Sequence, residues 1–276
     1  MRAGTWVRRA SAGSRSHGPA PGIFGYGLAP EQGAAWHALL NDSLAAFCGR
    51  HASAFSWLAS GPLQDAARAA RELERAVREL GAVGAVAAAN AEGVNLGELP
   101  LDEYWATAEA LDVPVFVHPT QPRPVPRTAK HALNQSVQYT FDTTLAFASL
   151  VESGVLDRFP RLRLILSHGG GAVPYLAGRL DVMHERGDKA QQGLAAKAPP
   201  SAYLHRAYYD SILHAAAPLR FLASMVGTER IVIGTDESFP PADRDPLGSL
   251  RRAGFAEADI RRIADDNPRA LFARLQ

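Results

Sequence analysis

The chain has 276 residues, 47% hydrophobic and 21% charged, with a formal net charge of +1 at pH 7. That is ordinary globular composition, and the near-neutral balance supplies no basic field for nucleic acid or a membrane surface. The single cysteine, Cys48, excludes an intramolecular disulfide and an all-cysteine metal site. No apolar run approaches the roughly 20 residues that span a bilayer. Residues 1–21 stand apart: they are rich in arginine and serine, contain no acid, and lack the apolar stretch of a secretory signal. They read as a disordered or artefactual leader, with a mitochondrial transit peptide as the lesser reading, ahead of one folded domain over 22–276. Nothing else directs export, so the default compartment is the cytoplasm.

In chain order, Trp36, Leu39, Leu40, Leu44 and Phe47 recur at helical steps within 33–50. A strand from Phe55 is stopped by Gly61-Pro62. A charged amphipathic helix follows over 64–80, ended by Gly81. Strands are predicted at 83–88, 113–118, 162–168, 207–212 and 230–236. Helices fall between them at 101–111, 142–153, 173–185 and 218–225, and two short ones at 256–264 and 268–275 end the chain. Strands that alternate with helices imply right-handed crossovers and a parallel sheet. Their near-continuous apolar runs imply that both sheet faces are covered. A barrel and a doubly wound open sheet both satisfy this pattern. No Gly-x-Gly-x-x-Gly follows the first strand, and His168-Gly-Gly-Gly matches neither a dinucleotide loop nor a P-loop.

Three of the strands end on a side chain able to hold a metal or move a proton: VPVFVHP at His118, LRLILSHGGG at His168 and RIVIGTDE at Asp236. In parallel α/β folds the carboxyl ends of the strands gather on one rim, which carries the chemistry. A neutral imidazole offers nitrogen and an aspartate a hard oxygen, a set suited to Zn²⁺ or a similar ion with a position left open. Each residue alone could instead be a hydrogen-bonding or capping group, and Asp236 could cap the turn that follows it. The same event at three strand ends weighs for a site. Gly169–Gly171 could be only a turn, or could let a substrate approach the backbone. Asp210 is a weaker candidate for orienting a histidine, and His214 lies near the rim. The remaining histidines, His37, His51, His131, His184 and His205, read as helix or loop surface.

The segments VPVFVHP, LRLILSHGGGAVPYLAGRLD, YYDSIL, RIVIGTDESFP and DNPRALF, together with IFGYGLAPEQGAAWHALLNDSLAAF, resemble the amidohydrolase-related family. Within it they look most like the aminocarboxymuconate semialdehyde decarboxylase group. The resemblance implies a (β/α)₈ TIM-type barrel that binds Zn²⁺ or another divalent ion such as Mn²⁺. It assigns His118 and Asp236 as metal ligands, His168 as the catalytic histidine, and Arg179 as a substrate-binding arginine that reaches a neighbouring subunit, hence a homodimer. The family's first strand ends in His-x-His, and this sequence contains no His-x-His. About six of the eight strands are expected, as in an N-terminally truncated barrel.

The activity implied is decarboxylation of a small unsaturated or aromatic carboxylate through metal-activated water. The same set would serve hydrolysis of a cyclic lactone or amide. A non-catalytic barrel remnant acting as an interaction partner is the third reading, supported by the missing His-x-His. The segment after His118, with Arg123, Arg127 and Lys130, hints at an acidic substrate, though a solvated loop explains it equally.

Overall fold

The computed structural model describes residues 24–120, 126–186, 188, 192–237 and 239–275, and the backbone of two short strands, β1 (Val7–Arg8) and β2 (Arg15–His17). The first expected strand is β3 (Phe55–Ser60), followed by β4 (Gly84–Ala88), β7 (Val115–His118), β8 (Leu164–Leu166), β9 (Ala207–Asp210) and β10 (Ile231–Val232). A small antiparallel pair, β5 (Asn90–Ala91) and β6 (Val94–Asn95), lies in the connection after β4. All the ladders from β3 to β10 in the main sheet are parallel, and the order β3-β4-β7-β8-β9-β10 follows the chain. A doubly wound sheet reverses its strand order at a switch point; this one winds in one direction, as a barrel does.

Strand β2 extends that order, pairing in parallel with β3 from Arg15 opposite Phe55 to His17 opposite Trp57. Val7–Arg8 runs antiparallel to both β2 and β3.

The helices that cover the strands are α1 (Pro30–Arg50), α2 (Ala66–Arg78), α3 (Asp102–Ala110), α4 (Tyr139–Glu152), α5 (Val155–Arg158), α6 (Val173–Arg186) and α7 (Ala216–Val226). Three more short α-helices, Pro246–Arg252, Glu257–Arg261 and Asn267–Leu271, complete the described chain. In α2 the Asp65 side chain accepts the Arg68 N–H at 2.9 Å and caps the helix. Ala69, Leu73, Ala76 and Val77 then form the stripe it buries, and the helix packs against β3 and α3. Strand β4 consists only of small residues, because the interior is crowded there: a Cβ on Gly84 would lie 2.8 Å from Leu58 and 2.9 Å from the Pro114 carbonyl.

Helix α1 corrects the periodicity argument. Its buried face is Gly33, His37, Asn41 and Cys48, while Leu39 points to solvent. A polar face can be buried because most of its groups find partners, His37 Nε2 excepted. His37 Nδ1 pairs with Ser60 Oγ at 2.8 Å, and the Asn41 amide donates to Ser60 O at 2.9 Å and to Glu72 Oε1 at 2.7 Å. His37 is therefore buried and not on the surface, and so is His184, whose Nδ1 meets Glu152 at 2.9 Å. His51, His131 and His205 are exposed as expected. Among the described residues no helix is long and apolar enough to cross a membrane.

Candidate metal and proton-transfer site

The site follows from register. Ala88 pairs with His118 across β4 and β7, Val117 with Leu166 across β7 and β8, and Leu166 with Tyr209 across β8 and β9. One step further along each strand stand His118, Ser167 and Asp210, so adjacent strands deliver their last residues to one level. Asp236 arrives differently. The ladder of β10 stops at Val232, and residues 233–236 continue as an irregular segment that turns at Asp236 with φ 50°. The sixth strand is thus shorter than 230–236.

His118, His168 and Asp236 converge. One ligand atom from each lies within 4.8 Å of the others, and His168 Nε2 is 4.0 Å from Asp236 Oδ2. The two imidazole rings stand edge to face with centroids 5.4 Å apart. Two nitrogens and one hard oxygen, too far apart to hydrogen-bond yet facing one point, suit a divalent ion in kind and number. The strand-end reading offered these three residues together, and the resemblance divided them into two ligands, His118 and Asp236, and a catalytic histidine, His168; all three present a donor atom to the same point.

The two histidines differ in what fixes their protons. His118 Nδ1 lies 2.8 Å from the Pro119 carbonyl, an acceptor only, so Nδ1 carries the hydrogen and Nε2 keeps its lone pair. His168 Nδ1 is buried without a partner, so no hydrogen bond among the described residues fixes its tautomer. Burial, then the neighbouring His168, lowers the His118 pKa to about 3. Burial, then His214 nearby, lowers His168 to about 4. Asp236 is pushed up to about 7 by burial and by Asp210 beside it.

Asp210 supports the loop that carries His168. Its Oδ1 accepts the Gly169 N–H at 3.0 Å and the Ile212 N–H at 3.1 Å. That loop keeps a positive φ over four consecutive residues, His168 (φ 55°), Gly169 (φ 60°), Gly170 (φ 77°) and Gly171 (φ 61°). A non-glycine residue is held in this conformation only when its surroundings fix it. Gly171 (φ 61°) is required on space as well: a Cβ there would run into the Thr140 carbonyl oxygen. The glycine run is therefore a turn that lets the loop after β8 approach α4 closely.

Two expected residues lie outside the cluster. Arg179 is exposed on α6, with no ion-pair partner among the described residues. His214 is exposed at the rim with φ 57°. Arg123 falls outside the described residues, and Arg127 and Lys130 are exposed. Asp142 was not singled out by sequence; a buried acid on the first turn of α4 has no motif to reveal it.

The sequence profile of the family described as Amidohydrolase matches residues 22–274. The chain belongs to this family. Its relatives include 2-amino-3-carboxymuconate-6-semialdehyde decarboxylase from Dictyostelium discoideum, 31% identical over 229 residues, which cover 82% of this chain and 63% of that protein. Two solved structures align closely. 5-Carboxyvanillate decarboxylase from Sphingomonas paucimobilis superposes with a TM-score of 0.82 at 26% identity, covering 92% of this chain and 76% of that one. Dihydroxybenzoic acid decarboxylase from a Polaromonas species, crystallised with manganese and the inhibitor 2-nitroresorcinol, gives 0.75 at 26% identity, covering 90% and 77%. The fold is that of the amidohydrolase decarboxylases, a TIM-type barrel. This chain spans less than two thirds of the Dictyostelium protein's length.

Proposed function

We propose that this amidohydrolase-family chain is a metal-dependent decarboxylase of a small unsaturated or aromatic carboxylate. The observation that carries the proposal is the convergence of His118, His168 and Asp236 at one level of the barrel rim. Relatives with decarboxylase chemistry, one of them holding manganese, support it.

His118 through Nε2 and Asp236 through a carboxylate oxygen would hold a divalent ion such as Zn²⁺ or Mn²⁺. When bound, the ion supplies Lewis-acid charge for an oxygen of water or substrate. His118 suits the ligand role because its Nδ1–H is committed to the Pro119 carbonyl. His168 suits proton transfer. It is neutral at pH 7, since burial lowers it to about 4, and no hydrogen bond ties its ring to one tautomer. Its Nε2 faces the cluster, where it can take a proton and return it to the carbon from which the carboxylate departs as CO₂. Asp210 anchors the loop that carries His168 by accepting the Gly169 N–H.

Arg179 belongs to the same proposal. Tyr175 and Met183 stand one turn before and after it on α6 and are exposed, Tyr175 by 80%, and Tyr175 meets the exposed Phe221 of α7 with ring centroids 6.4 Å apart. Exposed apolar side chains beside Arg179 suit contact with a second copy of the chain. Arg179 would then pair with a substrate carboxylate in the partner's site through its planar fork.

The test is CO₂ release from a panel of aromatic and unsaturated carboxylates by Mn²⁺- or Zn²⁺-loaded protein. His168→Ala is expected to abolish turnover while the metal stays bound. Full turnover in that variant would overturn the role of His168. Release of acid from lactones without CO₂ would replace decarboxylation by hydrolysis.

A further inference from the structure

We propose that Asp142 is a positioning residue that acts on His118 through the single peptide unit Pro119–Thr120. The inference rests on the reading of His118 as a metal ligand. The carbonyl of that peptide accepts the His118 Nδ1–H at 2.8 Å, and its N–H, on Thr120, donates to Asp142 Oδ2 at 3.2 Å. One rigid, resonance-coupled group therefore has the histidine at one end and the carboxyl at the other. Donation of the N–H to a carboxylate increases negative charge on the carbonyl oxygen, which strengthens its hold on Nδ1–H. The arrangement does through a peptide what a carboxylate hydrogen-bonded directly to a ligand histidine does: it fixes the tautomer and ring orientation and raises the basicity of Nε2.

The other oxygen of Asp142 is also committed. Oδ1 accepts the Asn90 side-chain amide at 2.8 Å. The orientation of Asn90 is set independently, because its own Oδ1 accepts the Gly93 N–H at 3.1 Å, which turns Nδ2 toward Asp142. Both oxygens of Asp142 thus act as acceptors, as in a carboxylate, which needs no proton to complete this pattern. Asn90 follows β4, whose Ala88 lies in register with His118, so one buried carboxyl ties the segments after β4 and β7 to α4. Pro119 restricts the backbone at this point and leaves little freedom for the histidine to swing.

A residue that merely anchors loops would affect stability but not the proton on His118. The deciding readouts are the His118 tautomer, from long-range ¹H–¹⁵N correlation on metal-free full-length protein, and Mn²⁺ affinity by calorimetry. Wild type is expected to show His118 solely as the Nδ1–H form. Asp142→Ala is expected to mix the tautomers and weaken Mn²⁺ binding by about 10-fold or more. Asp142→Asn keeps an acceptor for Thr120 but loses the charge, and is expected to retain the tautomer with weakened affinity. A folded Asp142→Ala protein with the single tautomer and wild-type affinity would overturn the proposal. If Asp142→Ala does not fold, unchanged Mn²⁺ affinity in Asp142→Asn would do so. Wild-type protein that shows the fixed tautomer but binds no Mn²⁺ would refute the ligand reading and leave the link between Asp142 and His118 standing.

Discussion

Metal affinity should depend on pH through Asp236 and not through the histidines. Burial and the adjacent Asp210 hold the Asp236 carboxyl at about 7, against an ordinary 3.8. That corresponds to on the order of 4 kcal/mol against the charged form, which an arriving cation must offset. His118 at about 3 and His168 at about 4 are already neutral above pH 5 and release no proton. An ion that binds the carboxylate should then displace about 0.9 proton at pH 6, about 0.5 at pH 7 and about 0.1 at pH 8. Affinity should fall about 10-fold from pH 8 to pH 6. The assay is Mn²⁺ calorimetry in buffers of different ionisation enthalpy, which counts released protons directly. In Asp236→Asn any residual binding should show no proton release. Release that grows with pH, or that persists in Asp236→Asn, would refute the assignment of the titrating group.

The metal-free protein gives a second pH test. The two histidines take up protons in the unfolded chain near 6.5 but in the fold only at about 3 and about 4, so they add stability as pH rises from about 4 to 6.5. Asp236 opposes them, because the fold keeps its proton until about 7. With two groups against one, urea denaturation in chelator should show stability rising by about 1.4 kcal/mol per pH unit from these groups, and His168→Ala should flatten that slope. Asp210→Ala leaves the Gly169 and Ile212 N–H groups without their acceptor, at about 1–3 kcal/mol for each buried group. Thermal denaturation should report this loss. Gly171→Ala forces a side chain into a left-handed position at about 1–3 kcal/mol and drives its Cβ into the Thr140 carbonyl. A melting temperature equal to that of wild type would show that the turn is not as tight as described.

The sequence by itself determined the alternation of strands and helices, because apolar runs and glycine breaks are local signals. It also determined which polar residues end the strands. His118 and His168 follow apolar runs, and parallel strands send such residues to one rim whatever the sheet's closure. It could not choose between a barrel and an open sheet, since both contain the same units; only the pairing order from β3 to β10 decides that. Nor could it find the buried face of α1, where His37 and Asn41 replace the apolar residues that periodicity looks for, because their partners Ser60 and Glu72 come from other elements. The same holds at the site. That Asp236 reaches the histidines through an irregular segment, that Asp210 holds the His168 loop, and that Asp142 grips the peptide after His118 are all contacts between residues distant in the chain. Strand ends can be read from a sequence one at a time. Their common level is set by backbone register between strands, and the groups that fix their protons are brought in by tertiary packing.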